Sequence, residues 1–332
     1  MAHRGRGWAA IIAVGLCMAG PLRDAAPAAA AYPDRPITLL VGFAPGGSMD
    51  LSARALAAAV KRAAGIALLV ENKPGGTGTV ALSALLGQRP DGYTLCATPS
   101  SVLIRVPQLQ QVPFRPLKSF RPLIGFSAPH LGILVRSDAP WKTLGGLVQE
   151  AAAHPGTVKY ATTGVGSTTH AAVEEVAARA KARMIHVPYK GGNEALMALL
   201  GGHVDFAALT SEFIPSLKAG ELRLLATMGE KRSAKFPDVP TLREAGYDFV
   251  NDAVFAVVAP RDLPGAIAVK LEQTFAAAVE NREYREQLDR IDLAPVSYDG
   301  RSLAEFLRTN WGKINARLVA GGLINKAATP PD

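Results

Sequence analysis

The stretch that decides the fold runs from Ile37 to Arg54, ITLLVGFAPGGSMDLSAR. It opens with the apolar, β-branched run Ile37-Thr38-Leu39-Leu40-Val41, which reads as a buried strand. Pro45-Gly46-Gly47 then breaks the chain. Ser48 follows as a candidate N-cap, and Asp50 falls in the first turn of the next segment. That segment, LSARALAAAVKRAAG, is rich in good helix formers and stops at Gly65. The order is strand, glycine loop, helix. Such a loop leaves unpaired backbone N–H groups at the positive end of a helix dipole, a ready site for an anion. Alone, Pro-Gly-Gly reads first as a tight βα turn. A second loop of the same kind, Thr163 to His170, tips the reading towards an anion site.

Outward from that motif the chain keeps alternating. Ala67 to Val70 reads as a second strand, followed by the loop and short helix ENKPGGTGTVALSALL over 71–86. Tyr93 to Ala97 is a third strand ending at Thr98-Pro99-Ser100-Ser101, whose hydroxyls either bond a ligand or cap the next helix. Four prolines between 105 and 122 argue for an irregular surface connection. Leu131 to Val135 reads as a strand, and a helix is expected from Thr143 to Ala153. Val158 to Thr162 then runs into Thr163-Gly164-Val165-Gly166-Ser167-Thr168-Thr169-His170 and a helix over 171–182, repeating the opening motif. Strands at 185–189, 204–209 and 222–227, with helices at 194–200 and 212–218, complete a βαβαβαβ series. Such a series implies a mostly parallel sheet with helices on both faces. Val254 to Ala259 is a further strand. After Pro264 the chain reads as mainly helical, over 265–281 and 302–319.

The amino terminus reads as a secretory leader. His3, Arg4 and Arg6 precede the apolar run Trp8 to Gly20, too short to span a bilayer, and Ala28-Ala29-Ala30 offers a cleavage site. Leu16 stands where a lipobox would need a small residue before Cys17. Residues 1–31 are thus expected to be removed and the protein to be periplasmic. Of the two cysteines only Cys96 remains, so no internal disulfide is possible. The formal charge of +8 is dispersed, with no basic tract interleaved with aromatics, which argues against nucleic acid. A mild positive field suits a small anionic solute.

Signatures of catalysis are missing. Gly164-Val165-Gly166-Ser167 only superficially resembles a nucleophile elbow, and there is neither a P-loop nor a dinucleotide glycine spacing. No two of the six histidines sit at metal-ligand spacing, so no metal and no cofactor are expected. His170, in the first turn of its helix, reads as an orienting hydrogen-bond group. Asp50 reads as a carboxylate that accepts its own loop's N–H groups. Two such loops suggest two α/β lobes offering helix N-termini to one cleft, at the carboxyl ends of the strands.

At this point the residues resemble a known family. YPDRPITLLVGFAPGGSMDLSARALA (32–57), VENKPGGTG (70–78), DGYTL (91–95), TTGVGSTTHAAVE (162–174), HVPYKGGNEALMALLGGHVDF (186–206), DVPTLREAGY (238–247) and VVAP (257–260) are similar, in order and spacing, to the Bug receptors of tripartite tricarboxylate transporters. The resemblance implies an α/β, type II periplasmic binding protein fold of the Venus-flytrap kind. It implies two Rossmann-like lobes, a cleft between them and a two-strand hinge. Lobe one would be 32–133 plus 252–332 and lobe two 134–251, with strands near 131–135 and 253–259 at the hinge. It further implies capture of a small mono- or dicarboxylate by a monomer, for delivery to the permease subunits of such a transporter. Carried over by motif, the ligand-binding positions are Phe43, Ala44, Gly46, Gly47, Ser48 and Asp50 in the first loop. In the second they are Thr163, Gly166, Ser167, Thr168 and His170, with Thr98, Ser100, Lys190, Gly191 and Asp205 around them. Phe43-Ala44-Pro45 and Arg261-Asp262-Leu263-Pro264 depart from the family's usual wording. The rival readings are an exported α/β hydrolase using Ser167 and His170, and a sensor presenting solute to a membrane kinase.

Overall fold

A computed structural model describes residues 1, 32–250, 253–320 and 324. The expected leader lies, Met1 apart, outside the described residues. Residues 35–332 form one compact unit, and every feature below belongs to it.

Strand β1 (Ile37–Val41) leads through the glycine loop into α1 (Ser48–Ala64). The buried positions Met49, Ala53, Leu56 and Val60 recur every three or four residues, so one face of α1 turns inward. Gly65 ends the helix in a left-handed conformation (φ 69°) and returns its N–H to the Lys61 carbonyl. The chain continues through β2 (Leu68–Asn72), α2 (Thr79–Leu86), β3 (Thr94–Pro99), α3 (Ser100–Ile104), α4 (Val106–Leu109), α5 (Pro116–Ser119) and β4 (Phe120–Pro129). It then builds β5 (Gly132–Arg136), α6 (Leu144–Ala153), β6 (Lys159–Thr162), α7 (Thr168–Ala180) and β7 (Ile185–Pro188). Next come α8 (Gly192–Leu200), β8 (Phe206–Leu209), α9 (Ile214–Lys218) and β9 (Leu222–Thr227). It closes with β10 (Phe255–Pro260), α10 (Gly265–Glu280), α11 (Arg282–Arg290), β11 (Leu293–Asp299) and α12 (Gly300–Ala320).

Two sheets result, ordered β11-β4-β10-β3-β1-β2 and β7-β6-β8-β5-β9. Both follow one plan. In each, the first of four helix-linked strands lies between, and parallel to, the second and third: β1 between β2 and β3, β6 between β7 and β8. An antiparallel strand then sits between the third and fourth, β10 in one sheet and β5 in the other. The four helix-linked strands of each sheet, β1 to β4 and β6 to β9, therefore run the same way, as the alternation predicts, and β10, β5 and β11 run against them. β5 and β10 each follow a crossing from the other sheet rather than a helical crossover within their own, so they run against their neighbours. Edge strand β11 adds a further antiparallel pairing.

Two expectations are corrected. The proline-rich segment is not wholly irregular: it carries α4, α5 and the start of β4. The region after Pro264 is not only helical, because β11 lies between α11 and α12. Prolines hid both strands. In β4 the register against β10 slips beside Pro122, and in β11 it slips after Pro295, so these prolines stand at bulge positions.

The five-stranded sheet shows how burial follows the period of two. Ile133, Val135, Tyr160, Phe206 and Ala208 face α6 and α7, where they pack with Leu147, Val173 and Val176. Leu134, Ala161, Ala207 and Leu209 face the other way, against Leu196 and Leu199 of α8 and Ile214 of α9. The chain passes between sheets at His130 and Leu131, and returns between Thr227 and Phe255. The two passages touch: the Met228 N–H donates to the Leu131 carbonyl at 3.1 Å. The strands expected near the hinge, β5 and β10, each lie within a separate sheet, directly beyond these passages.

Candidate ligand-binding site

The first loop takes its shape from Asp50. The Gly46 N–H donates to Asp50 Oδ2 at 2.9 Å, Asn72 Nδ2 donates to Asp50 Oδ1 at 2.9 Å, and Arg54 Nε lies 2.9 Å from Oδ2. Asn72 also reaches the Phe43 carbonyl at 3.0 Å, tying the loop to β2. Burial works against ionisation of Asp50, but the bonds from Arg54, Gly46 and Asn72 outweigh it and hold the carboxyl below its ordinary value. Gly46 needs its freedom, with φ at 79° and the Asn193 amide where a Cβ would stand. Ser48 was expected as N-cap. The structure places Gly47 at that position, with no side-chain cap, and turns the Ser48 hydroxyl across to Glu212 Oε2.

The second loop is built on the same plan. Gly166 has φ 81°, and its N–H donates at 3.2 Å to Nδ1 of His170, four residues on. Ser167 caps α7 by accepting from the His170 N–H at 3.1 Å, and its hydroxyl lies 3.0 Å from Thr169 Oγ1. Because Nδ1 accepts, the His170 ring is neutral with its proton on Nε2. Burial, with Arg105 nearby, pushes its pKa down to about 4. His186 packs on it, ring centroids 4.4 Å apart, and is lowered to about 4 by burial and by His170.

The loops meet around a small cavity of about 40 Å³. Of the residues expected at the site, Phe43, Gly47, Ser48, Thr163, Ser167 and Thr168 line it. Behind them stand Asp50, Gly46, Gly166 and His170, which brace the loops; His170 instead faces a second cavity of about 420 Å³ shared with Arg105, Glu174 and Phe249. Ala44 and Lys190 join across the cleft through their backbones (3.3 Å), and Gly191 packs against Ala44. Thr98 is buried inside β3. The hydroxyl of Ser100 accepts from the Val254 N–H at 3.1 Å, so it neither lines the cavity nor caps α3. Asp205 is not brought to the cleft. It bonds the Lys159 N–H at 2.7 Å, at the amino ends of β6 and β8, whereas the cleft lies at the carboxyl ends.

Of the hydroxyls at the end of β3, Ser101 lines the cavity. Sequence reasoning missed three polar neighbours, of which Thr210 lines the cavity directly. Arg105, 3% exposed, donates at 3.2 Å to the Thr168 hydroxyl from behind the second loop. Glu212, 8% exposed, accepts from Ser48, from the Thr210 hydroxyl and from the Thr210 N–H at 3.0 Å. Arg105 sits in the proline-rich stretch, and nothing in its local pattern signals burial. None of the described residues lining the cavity is charged. Among the described residues, no group of three or more His, Cys, Asp or Glu could hold a metal.

The arrangement can bind but is not set for nucleophilic catalysis. Ser167 Oγ is engaged by Thr169 and the His170 backbone, while the imidazole serves Gly166. A serine and base working together would bond each other directly.

Comparison with known proteins agrees. Residues 52–322 match the family model described as tripartite tricarboxylate transporter family receptor. A UPF0065 protein from the gbd 5′ region of Cupriavidus necator is 38% identical over 88% of this chain and 89% of its own length. BugT of Bordetella pertussis is 33% identical over 86% of this chain and 89% of its own. Among solved structures, R. palustris Rpa4515 with adipate matches 88% of this chain and 98% of its own, with a TM-score of 0.82 at 26% identity. MatC from Rhodopseudomonas palustris with bound malate matches 85% and 99%, with a TM-score of 0.79 at 27% identity. The periplasmic binding protein BugD shares the fold, with a TM-score of 0.83. With its two sheets on one plan and a cleft at their carboxyl ends, this chain belongs to the tripartite tricarboxylate transporter receptor family, a family of solute-binding receptors rather than enzymes.

Proposed function

We propose that the protein is a periplasmic receptor that captures a small mono- or dicarboxylate in the cleft and delivers it to the membrane subunits of a tripartite tricarboxylate transporter. One observation carries the reading. The N-termini of α1 and α7, opened by loops of the same geometry, both deliver cavity-lining residues: Gly47 and Ser48 from one, Ser167 and Thr168 from the other. Both helices direct the positive end of a dipole to one place, and a carboxylate is the small-molecule group that suits it. The solute's charge is then met by backbone N–H groups and hydroxyls, with Arg105 one residue behind. Relatives of known structure hold adipate and malate, both carboxylates.

Opening and closing would turn on the two touching passages at Leu131 and Met228, with lobe one as 32–133 plus 252–332 and lobe two as 134–251. Closure is stabilised by contacts between the lobes' loops. The Thr77 hydroxyl donates to the Val165 carbonyl at 2.9 Å, Gln110 Nε2 donates to the same carbonyl at 3.1 Å, and Ser48 bonds Glu212.

Native mass spectrometry of the purified protein, followed by a thermal-shift screen against organic acids, tests the reading. A co-purified acid, or stabilisation by one class of carboxylates, is expected, since a ligand that binds only the native state stabilises it. Absence of any shift with carboxylates, together with turnover of an ester, would instead favour the hydrolase.

A further inference from the structure

Between β2 and α2 the chain turns through Gly75, Gly76, Thr77 and Gly78, all with positive φ, at 131°, 56°, 55° and 94°. Glycine accepts such angles freely, and a β-branched residue suits them least. Thr77 nevertheless stands among three glycines, at φ 55° and ψ 34°. What it offers against the strain is its side chain. The hydroxyl donates at 2.9 Å to the Val165 carbonyl, on the far side of the cleft. A side chain at Gly164 would collide with that hydroxyl, so the second loop leaves room for it.

The Val165 carbonyl and the Gly166 N–H are one peptide group. Its carbonyl oxygen has two lone pairs and here two donors, Thr77 Oγ1 and, at 3.1 Å, Gln110 Nε2. Its N–H is held by His170 Nδ1. The two ends are thus held from different halves of the molecule. The N–H bonds α7, beside the five-stranded sheet, and the carbonyl bonds two segments that link strands of the six-stranded sheet. The flanking residues do not fix this peptide by themselves, because Gly164 and Gly166, at φ 117° and 81°, turn freely. Immediately beyond it stand Ser167 and Thr168, which line the cavity.

We propose that Thr77 and Gln110 are positioning residues for the solute. Neither lines the cavity. They orient the Val165–Gly166 peptide from across the cleft, and so set the second loop in its binding shape only when the two halves come together. This rests on the carboxylate reading above and adds how closing raises affinity. With the halves apart both donors are withdrawn, the peptide is held at its N–H alone, and the glycines on either side let the loop take other shapes. With the halves together the loop is fixed and the solute is retained. The threonine keeps its left-handed backbone because its hydroxyl makes that coupling.

Thr77→Gly separates this role from a merely structural one. Glycine suits the backbone angles, so relief of strain offsets the lost bond and stability to urea should stay close to that of the wild type. Affinity should nevertheless fall about fivefold, the worth of one hydrogen bond. The probe is whichever straight-chain mono- or dicarboxylate gives the wild type its largest thermal shift, followed by calorimetry and stopped-flow. The loss is expected in faster dissociation, since bonds completed on closing hold the loaded form. Thr77→Ser, which keeps the hydroxyl, should bind as the wild type does. Gln110→Ala, which leaves the strained turn untouched, should lose a similar factor, and it decides alone should Thr77→Gly fail to fold. Wild-type affinity in both Thr77→Gly and Gln110→Ala overturns the proposal, as does a Thr77→Ser that binds no better than Thr77→Gly; both leave the carboxylate reading standing. A wild type that no such acid stabilises would instead remove the carboxylate reading itself, and the proposal with it.

Discussion

The two cleft loops have one geometry and two chemistries. Gly46 and Gly166 share a left-handed φ, 79° and 81°, and each gives its N–H to the side chain four residues on. In the first loop that side chain is the Asp50 carboxylate, balanced by Arg54; in the second it is neutral His170, with Arg105 beyond it. One backbone shape therefore needs only an acceptor at the fourth position, and the charge of that acceptor is free to vary. The choice leaves the second loop the more electropositive of the two, with Arg105 behind it and no carboxylate in its brace. It also makes the two braces respond differently to acid.

The largest effect that separates them is with pH. Asp50 is held below its ordinary pKa, so its brace stays ionised through mildly acidic conditions. His170 has a folded pKa of about 4 against an ordinary 6.5. Between those values the unfolded chain binds a proton that the folded one refuses. Stability is then complete above pH 6.5 and falls as pH drops towards about 4, by roughly 3 kcal/mol for this group. Denaturation curves across that range should show the slope in the wild type and a shallower one in His170→Asn. Equal slopes would mean that the imidazole is not the group responsible.

Removing the other brace comes next. Asp50→Ala strands the Gly46 N–H, the Asn72 amide and Arg54, and should cost about 2 kcal/mol of folding stability in urea titrations. A cost near zero would show that the loop keeps its shape without the carboxylate. Ser167→Ala removes both the cap of α7 and a hydroxyl from the cavity, and should weaken carboxylate binding by about 1–2 kcal/mol by calorimetry. Thr143→Ala is the control. It removes a cap of the same kind from α6, where Thr143 Oγ1 accepts from the Gly146 N–H at 3.1 Å outside the cleft. It should lower stability by about 1 kcal/mol and leave affinity unchanged.

Much of this was legible in sequence, and for a reason. Each loop is local: a β-branched run, glycines, an acceptor four residues on and a helix ended by a stop signal all fall within one short stretch, as from Ile37 to Gly65. The elements that escaped notice depend on distant partners. β4 reads as irregular because Pro122 is tolerated only at the slip opposite Val257 and Val258. Arg105 and Glu212 look like ordinary surface charges on short helical stretches. One is buried by a loop 63 residues away, and the other reaches a serine 164 residues away. Asp205 erred in the opposite direction: it lies in a matching motif, but at the wrong end of its strand.

The most direct test of capture between the two loops is a pair of substitutions at Gly47. A Cβ there would sit 3.6 Å from the Gly192 nitrogen and 3.7 Å from the Ala44 carbonyl, ordinary contact distances. Gly47→Ala should therefore bind normally, whereas the branched methyls of Gly47→Val must enter the cleft. Calorimetry with the acid that gives the largest thermal shift should find Gly47→Ala close to wild type and Gly47→Val without measurable binding, though folded. Wild-type affinity in Gly47→Val would contradict capture at this site.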